Sequence, residues 1–275
     1  MNKVSMLFRL NKVSEVLHQS SSYRVDYRGK VSVGVDLGTA YLVLIVLDKD
    51  LHPIAGTYQF AQVVRDGVVV DYVGAVDRLK QMKTQVEAQL GFSLTQAATA
   101  HPPGIHTAEI RSIENVLYGA DLACIGSIDE PSAANKVLQI EDGAVVDIGG
   151  GTTGIAIVKA GQVVYTADEP TGGTHFSLVI AGAKDISFEE AEQLKRDTTK
   201  HTHLFPIIQP VMEKVATIIQ THIAGYTIDK LYLVGGSSQF EQFASVVETA
   251  TGITTTVPEQ ALFVTPLGIA LQDTV

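Results

Sequence analysis

Residues 30–36 (KVSVGVD) form a β-branched run, Gly38 and Thr39 follow, and residues 41–47 (YLVLIVL) form a second run closed by Asp48, Lys49 and Asp50. Two such runs joined by a tight glycine-containing connection predict a β-hairpin. The pattern returns later in the chain. Residues 143–148 (GAVVDI), the turn from Gly149 to Gly154 (GGGTTG) and residues 155–159 predict a second hairpin, and residues 163–167 add a strand after Gly161. Asp36 and Asp147 stand at the same offset in the two hairpins, 111 residues apart. A repeat this long is no solenoid unit, so it predicts two related α/β lobes in one chain.

The intervening segments fit that plan. Residues 54–60 predict a third strand, and residues 68–71 follow the Asp66-Gly67 turn signal. Val76, Leu79, Met82, Val86 and Leu90 have helical spacing, predicting a helix over 74–90 with Gly91 as its stop. A short strand at 97–100 precedes the His101-Pro102-Pro103-Gly104 turn, a helix covers 107–118, a strand covers 123–128, and Pro131 opens the next helix at its first position. Ser187-Phe188-Glu189-Glu190 is a capping box that starts a helix running to about residue 198. Residues 206–224 predict a long helix whose stripe Ile207, Ile208, Val211, Val215, Ile218 and Ile219 is core. A strand at 230–234 ends in Gly235-Gly236, a second capping box at 238–241 opens a helix to about residue 250, and Pro266 lies just before the last helix. Near the start, Met6, Leu7, Leu10, Val13 and Leu17 predict an amphipathic helix over 3–19, ahead of the polar Gln19-Ser20-Ser21-Ser22 stretch. Such a segment packs on the body as a helix, forms a partly ordered tail, or is a targeting helix that docks on a partner.

Composition narrows the class. With 275 residues, 45% of them hydrophobic and 18% charged, the chain has far more apolar residues than a disordered one needs. The single cysteine, Cys124, excludes a disulfide framework and cysteine-rich metal sites, and reads as a buried small hydrophobe. A formal charge of −10 is unsuited to a sequence-independent grip on nucleic acid. The most apolar run, residues 41–47, is far shorter than the ~20 residues of a membrane span, and no leader-like h-region is evident, so a cytoplasmic protein is expected. His201 and His203 could be two metal ligands, but no acid cluster accompanies them. His101 and His106 read as loop residues.

The two Asp-Gly hairpins carry the chemistry. A strand that delivers an acid to its end, followed by glycines whose N–H groups point into a concavity, is suited to phosphate oxygens, with the carboxylates and water holding Mg²⁺ on a polyphosphate. The segment IDEPSAA (128–134) places Glu130 at a helix entrance before small residues, LYLVGGSS (231–238) ends a buried strand in two glycines, and PLGIA (266–270) supplies small residues on a helix.

The ordered set VGVDLGTA, IDEPSAA, VVDIGGGTTG, LVGGSS and PLGIAL, spanning residues 31–271, resembles the five motifs of the actin-like ATPase superfamily. Within it, VRDGVVVDYVGAVDRLK with GVDLGTA before it and DEPSAA after it is most similar to the chaperone-like proteins encoded with bacterial ethanolamine-utilisation microcompartments. The resemblance implies an α/β protein of actin-like (ribonuclease H-like) fold, with two related lobes around a nucleotide cleft. It implies an N-terminal extension over 1–29, lobe I over 30–141 plus 262–275, and lobe II over 142–261. It implies ATP or ADP with Mg²⁺ as cofactors, the Mg²⁺ held through water by Asp36 and Asp147. Asp36, Glu130 and Asp147 would be the catalytic carboxylates. Gly38, Thr39 and Ala40 would line one phosphate loop, and Gly149, Gly150, Gly151 and Thr152 the other. Gly172, Gly173 and Thr174 match the segment near phosphates and ribose, Glu192, Lys195 and Arg196 the helix that contacts ribose and adenine, and Gly235, Gly236 and Ser237 the adenosine motif. The implied partners are nucleotide and protein, the latter ethanolamine-utilisation enzymes or shell proteins, with a cytoplasmic or microcompartment-associated location.

The sequence also departs from the superfamily's chaperones. They carry an Asp two residues after the Thr of the second phosphate loop, where this chain has Gly154. No residue aligns with their catalytic lysine, although Arg65 and Lys80 are near in sequence. Hydrolysis is therefore expected to be slow or absent while nucleotide binding persists. Motifs ending near Val275 leave no expected place for a peptide-binding β-domain or lid. Three functions follow in order: a chaperone-type protein with weak Mg²⁺-dependent ATPase activity, a non-hydrolysing scaffold of the cell-division or pilus-assembly type, and a small-molecule kinase.

Overall fold

A computed structural model describes residues 3–19, 22–65 and 67–273. The chain divides into two compact units, residues 1–139 with 263–275, and residues 140–262.

Unit 1 runs α1 (Lys3–Leu17), β1 (Ser32–Leu37), β2 (Tyr41–Leu47), β3 (Pro53–Phe60), β4 (Val64–Arg65), β5 (Val68–Val69), α2 (Tyr72–Leu90), β6 (Gln96–His101), α3 (Thr107–Gly119), β7 (Ala123–Asp129) and α4 (Glu130–Leu138). Its sheet has the order β3-β2-β1-β6-β7. β1 and β2 pair antiparallel, as do β2 and β3, whereas β6 lies parallel to both β1 and β7. Both faces of the central strands are covered, which is why β2 reads as a continuous apolar run instead of an alternating one. On one face Val33, Val35, Leu42 and Leu44 pack with Leu79, Met82 and Val86 of α2 and Val116 and Leu117 of α3. α2 is capped at its start by Asp71, which accepts from Gly74 N at 2.9 Å. It stops at Gly91, whose φ of 73° is a left-handed conformation that glycine adopts freely.

α1 is the predicted amphipathic helix, and it packs against β3, burying Leu10, Val13, Val16 and Leu17 while Leu7 and Phe8 stay exposed. The packed alternative is thus the one realised. The Asp66 half of the predicted turn, Ser20 and Ser21 lie outside the described residues.

Unit 2 runs β8 (Gly143–Ile148), β9 (Thr153–Lys159), β10 (Gln162–Glu169), α5 (Gly173–Lys184), α6 (Phe188–Arg196), α7 (His201–Ile223), β11 (Leu231–Val234), α8 (Phe243–Thr251) and β12 (Thr255–Thr256). Its sheet has the order β10-β9-β8-β11-β12, the same plan of hairpin strands followed by parallel strands. The repeat is exact at the hairpins. Asp36 pairs with Val43 and Leu37 with Leu42, while Asp147 pairs with Gly154 and Ile148 with Thr153, each pair with the same separation along the chain. The core gathers Val146, Ile148, Ile155 and Ile157 of the sheet with Phe176, Ile208, Met212, Val215 and Ile219 of the helices. The last helix, α9 (Val264–Ala270), returns to unit 1 and packs on β1 and α4.

Several expected boundaries move for identifiable reasons. α7 begins at His201, not at residue 206, because buried positions His201, Leu204, Ile208, Met212, Val215, Ile219 and Ile223 continue one stripe through Pro206 and Pro210. Of the expected stripe, Ile208, Val215 and Ile219 are buried, and Ile207, Val211 and Ile218 are only partly so. Pro131 is the second residue of α4, after Glu130, and Pro266 lies inside α9. The capping box at 187–190 forms, with Ser187 N donating to Glu190 Oε2 at 2.9 Å, and its helix stops at Arg196. The second box does not form. Ser238 is buried and donates its hydroxyl hydrogen to Gly235 O at 2.7 Å, a single-turn 3₁₀ helix covers Gly236–Gln239, and α8 starts only at Phe243. α5 and β12 were not expected: α5 opens on glycines, which argue against a helix by propensity.

Candidate functional site

The parallel strands of each unit bring its candidate residues to their C-terminal ends, where α/β sheets usually bind ligands. In unit 2, β8 delivers Asp147 and β11 delivers Gly235, and Val234 and Asp147 are register partners. Asp147 is buried. Gly235 has φ 83°, and a Cβ there would fall 2.4 Å from Asp147 Oδ1 and 2.5 Å from Ile148 O, so only glycine lets the two segments meet.

Three loops close around this point. Gly149 O accepts from Gly173 N at 2.9 Å and from Ser237 Oγ at 2.9 Å, and Gly150 O accepts from Thr174 N at 2.7 Å. Thr153 Oγ1 donates to Thr171 O at 2.6 Å. The contact is so close that a Cβ on Gly172 would sit 2.8 Å from Gly150 O, and one on Gly173 would sit 2.1 Å from Ser237 Oγ. The glycine loop thus spends its carbonyls on its own unit. Among the described residues, none accepts a hydrogen bond from the backbone amides of Gly150, Gly151 or Thr152. Successive amides left in that condition make an anion-binding concavity.

α6 supplies the polar group beside it. Glu192 Oε2 accepts from Ser177 Oγ at 2.6 Å and from Lys195 Nζ at 2.5 Å. Lys195 Nζ also donates to Gly173 O and to Ser177 Oγ, both at 3.0 Å, which uses all three ammonium hydrogens. The Lys195 side chain is 12% exposed and that of Glu192 9%. Burial holds the Lys195 pKa below the ordinary lysine value, and the charge of Glu192 and its hydrogen bond oppose that shift. Arg196, one residue on, is exposed. Gly236 is exposed and Ser237 buried.

In unit 1, Asp36 ends β1 as Asp147 ends β8, and is half-buried. Gly38, Thr39 and Ala40 form the hairpin tip, where Ala40 O accepts from Ala61 N at 3.0 Å. Among the described residues none accepts from the amides of Thr39 or Ala40. Thr99 Oγ1 donates to Val35 O at 2.9 Å, fastening β6 to β1 just before the acid. Glu130 is the first residue of α4, with Asp129 as cap accepting from Ser132 N at 3.0 Å. Glu130 therefore stands at the same edge of the sheet as Asp36, two strands away. Arg65 and Lys80 are both exposed.

Two participants escaped sequence reasoning. Ser177 has no motif, and only its four-residue spacing from Gly173 on a helix could have suggested it. His201 belongs to the His-Thr-His pair weighed as metal ligands. It is instead buried, bridging Lys195 O at 2.9 Å and Glu241 N at 3.2 Å. Among the described residues no group of three or more His, Cys, Asp or Glu side chains could hold a metal ion directly. The carboxylates present fit a cation held through water and a ligand's own oxygens.

The paired sheets with acid-ending hairpins define the actin-like ATPase superfamily. The family model of the type IV pilus assembly protein PilM matches residues 131–265, and that of MreB/Mbl protein matches residues 55–184. The chain is 45% identical over 239 residues, 86% of its length, to the ethanolamine utilization protein EutJ of Escherichia coli (strain K12), covering 84% of that protein. The crystal structure of EutJ from Carboxydothermus hydrogenoformans is similar with a TM-score of 0.92 at 43% identity, over 98% of this chain and 99% of that one. This chain belongs to the EutJ family. More distant structures share the fold: a PilM–PilN type IV pilus biogenesis complex (TM-score 0.76, 14% identity, 89% of this chain and 98% of that one) and MreB5 of Spiroplasma citri bound to AMPPNP (TM-score 0.73, 14% identity, 90% and 97%). No helix among the described residues is long and apolar enough to cross a membrane.

Proposed function

We propose that this chain binds ATP or ADP with Mg²⁺ and acts as a chaperone-type actin-like protein of an ethanolamine-utilisation system, with weak ATPase activity. The observation that carries the reading is the run of amides from Gly150 to Thr152, which have no acceptor among the described residues, beside the buried acid Asp147. The Thr39 and Ala40 amides beside Asp36 repeat the arrangement in unit 1. The relatives' names support the ethanolamine-utilisation setting, and the AMPPNP-bound neighbour supports a nucleotide.

Under this reading Gly150 to Thr152 and Thr39 with Ala40 would donate backbone hydrogens to phosphate oxygens, while Gly149, whose amide is taken by Thr152 O, and Gly38 line the two loops. Asp36 and Asp147 orient the cation's water shell, and Glu130 orients the attacking water. Gly172 to Thr174, Glu192, Lys195, Arg196 and Gly235 to Ser237 bind the adenosine half. Bound Mg²⁺ supplies charge neutralisation on the phosphates. Catalysis of this kind is positioning and electrostatics, so groups that are missing lower the rate without abolishing binding. The partners would be ethanolamine-utilisation enzymes or shell proteins, in the cytoplasm or at a microcompartment.

A second reading, a nucleotide-binding scaffold with no turnover, is favoured by Gly154. It is the ladder partner of Asp147, and it places no side chain where the superfamily's chaperones carry an acid. Calorimetric titration with Mg-ATP and Mg-ADP, joined to a phosphate-release assay, tests both. Binding with slow release that is lost in Glu130→Ala supports the first, binding without release supports the second, and no binding by either nucleotide defeats both. Asp147→Lys is expected to remove the binding.

A further inference from the structure

His201 does no chemistry in the proposed site, yet it is 3% exposed and uses both ring nitrogens. Glu241 N is a donor, so His201 Nδ1 must accept. Lys195 O is an acceptor, so Nε2 must carry the hydrogen. The two bonds, 3.2 Å and 2.9 Å, therefore fix one neutral tautomer. The ring also stacks on Phe240, with centroids 3.8 Å apart and planes 18° from parallel. Lys195 is the lysine that holds Glu192, Ser177 and Gly173 O, while Phe240 and Glu241 directly follow the 3₁₀ turn Gly236–Gln239 that contains Ser237. One buried ring thus joins the end of α6 to the loop after β11.

We infer that His201 is a positioning residue for the adenosine half of the nucleotide site, setting the spacing between the Glu192–Lys195 pair and the Gly235–Ser237 turn. This rests on the nucleotide reading above. His201 touches neither hairpin tip, so its influence is confined to the base and ribose end. Of the bonds that hold Gly149 and Gly150, those from Gly173 N and Thr174 N come from the start of α5, and only that from Ser237 Oγ comes from the turn that His201 positions. Loss of His201 should therefore weaken a nucleoside polyphosphate and spare a bare polyphosphate. A general loosening of unit 2 would weaken both.

The test titrates the full chain with Mg-ATP and with Mg-tripolyphosphate, for wild type, His201→Leu and His201→Gln. Glutamine can accept from Glu241 N and donate to Lys195 O, whereas leucine can do neither. Displacing the groups that face the adenosine half lowers affinity tenfold for every ~1.4 kcal/mol of binding free energy lost. His201→Leu is expected to bind ATP about tenfold more weakly with tripolyphosphate unchanged, and His201→Gln to recover most of the difference. If His201→Leu does not fold, Phe240→Leu removes the stacking partner alone, and a smaller loss confined to ATP is expected. ATP affinity unchanged in the leucine variants, equal loss for both ligands, or a glutamine variant as weak as leucine would each overturn the inference. A wild-type chain that binds tripolyphosphate but not ATP defeats the adenosine assignment, and one that binds neither defeats the nucleotide reading itself.

Discussion

Gly173→Ala gives the sharpest test of the loop packing in unit 2. Gly173 opens α5 without a left-handed φ, so alanine's backbone preference does not oppose the change. Removing glycine's freedom in the unfolded chain would by itself stabilise by about 0.4–1 kcal/mol. The obstacle is local: the new Cβ would stand 2.1 Å from Ser237 Oγ and 3.3 Å from Lys195 Nζ. The lysine end can give by a few tenths of an ångström, but the hydroxyl must swing away and abandon Gly149 O. Overpacking costs about 1–3 kcal/mol and the lost hydrogen bond about 1, so Gly173→Ala should destabilise by about 2 kcal/mol. Ser237→Ala alone should lose about 1 kcal/mol. In the double variant the clashing atom is gone, and the nearest remaining atom of residue 237 is its Cβ, at 3.3 Å. The hydrogen bond is lost only once, so the pair should cost about 1 kcal/mol. A coupling of about −2 kcal/mol is therefore expected from urea denaturation of the four proteins followed by circular dichroism. Additivity within about 0.5 kcal/mol would refute the contact.

Other consequences can be checked in the same protein. Glu192→Gln removes the charge that offsets Lys195 burial, and breaking such a pair costs about 3–5 kcal/mol near neutral pH. The lysine pKa is already depressed, so in this variant the buried ammonium should discharge as pH rises. The unfolded lysine still holds its proton in that window, so the deficit should shrink between neutral pH and the ordinary lysine value. A deficit independent of pH over that range would contradict the assignment. In unit 1, Gly268→Ala would place a Cβ 1.9 Å from Ala133 O, a backbone atom that cannot rotate away, and should cost about 1–3 kcal/mol by urea denaturation. A stability within about 0.5 kcal/mol of wild type would mean that α9 does not lie so close to α4. Mg-ATP should raise the thermal midpoint of wild type and leave Asp147→Asn unshifted. Equal shifts in both proteins would remove Asp147 from the nucleotide site.

The hairpins, the helix expected over 74–90 and found over 72–90, and the repeat were legible because each rests on a short-range rule. Strands announce themselves by β-branched runs, and a helix stop by Gly91. What failed depended on partners distant in the chain. Ser238 has the sequence of a cap, but its hydroxyl is taken by Gly235 O across a buried turn. α7 extends back through two prolines because His201 and Leu204 belong to the buried stripe, which outweighs the preference of proline for a first turn. The glycine loops and their acids were legible as residues. That Lys195 satisfies all its donors within unit 2, and that His201 serves as a rivet in place of a ligand, depends on side-chain packing that no motif encodes.

The two units follow one strand order, yet their glycines answer different pressures. At the hairpin tips unit 1 has Gly38, Thr39 and Ala40 where unit 2 has Gly149, Gly150 and Gly151. In unit 2 the tip meets two other backbones, the start of α5 and the turn after β11, so Gly172 and Gly235 are also needed where a Cβ would strike Gly150 O or Ile148 O. In unit 1 a Cβ on Gly38 would fall 2.8 Å from Tyr41 O of its own hairpin, and the crowding between elements lies away from the tip, where α9 presses on β1 and α4. There Gly34 faces Ala270 N at 2.5 Å and Gly268 faces Ala133 O at 1.9 Å from their would-be Cβ atoms. A duplicated frame has thus been specialised at different places. The denser glycine cluster of unit 2 coincides with three loops, one buried lysine and the longer run of unengaged amides. That asymmetry places the selective half of ligand recognition, under the proposed reading, on unit 2, with Asp36 and its shorter run of unengaged amides in the supporting role. Exchanging Thr39-Ala40 for Gly-Gly should accordingly change nucleotide affinity much less than exchanging Gly150-Gly151 for Thr-Ala, as titration of the two variants would measure, and the reverse order would overturn the asymmetry.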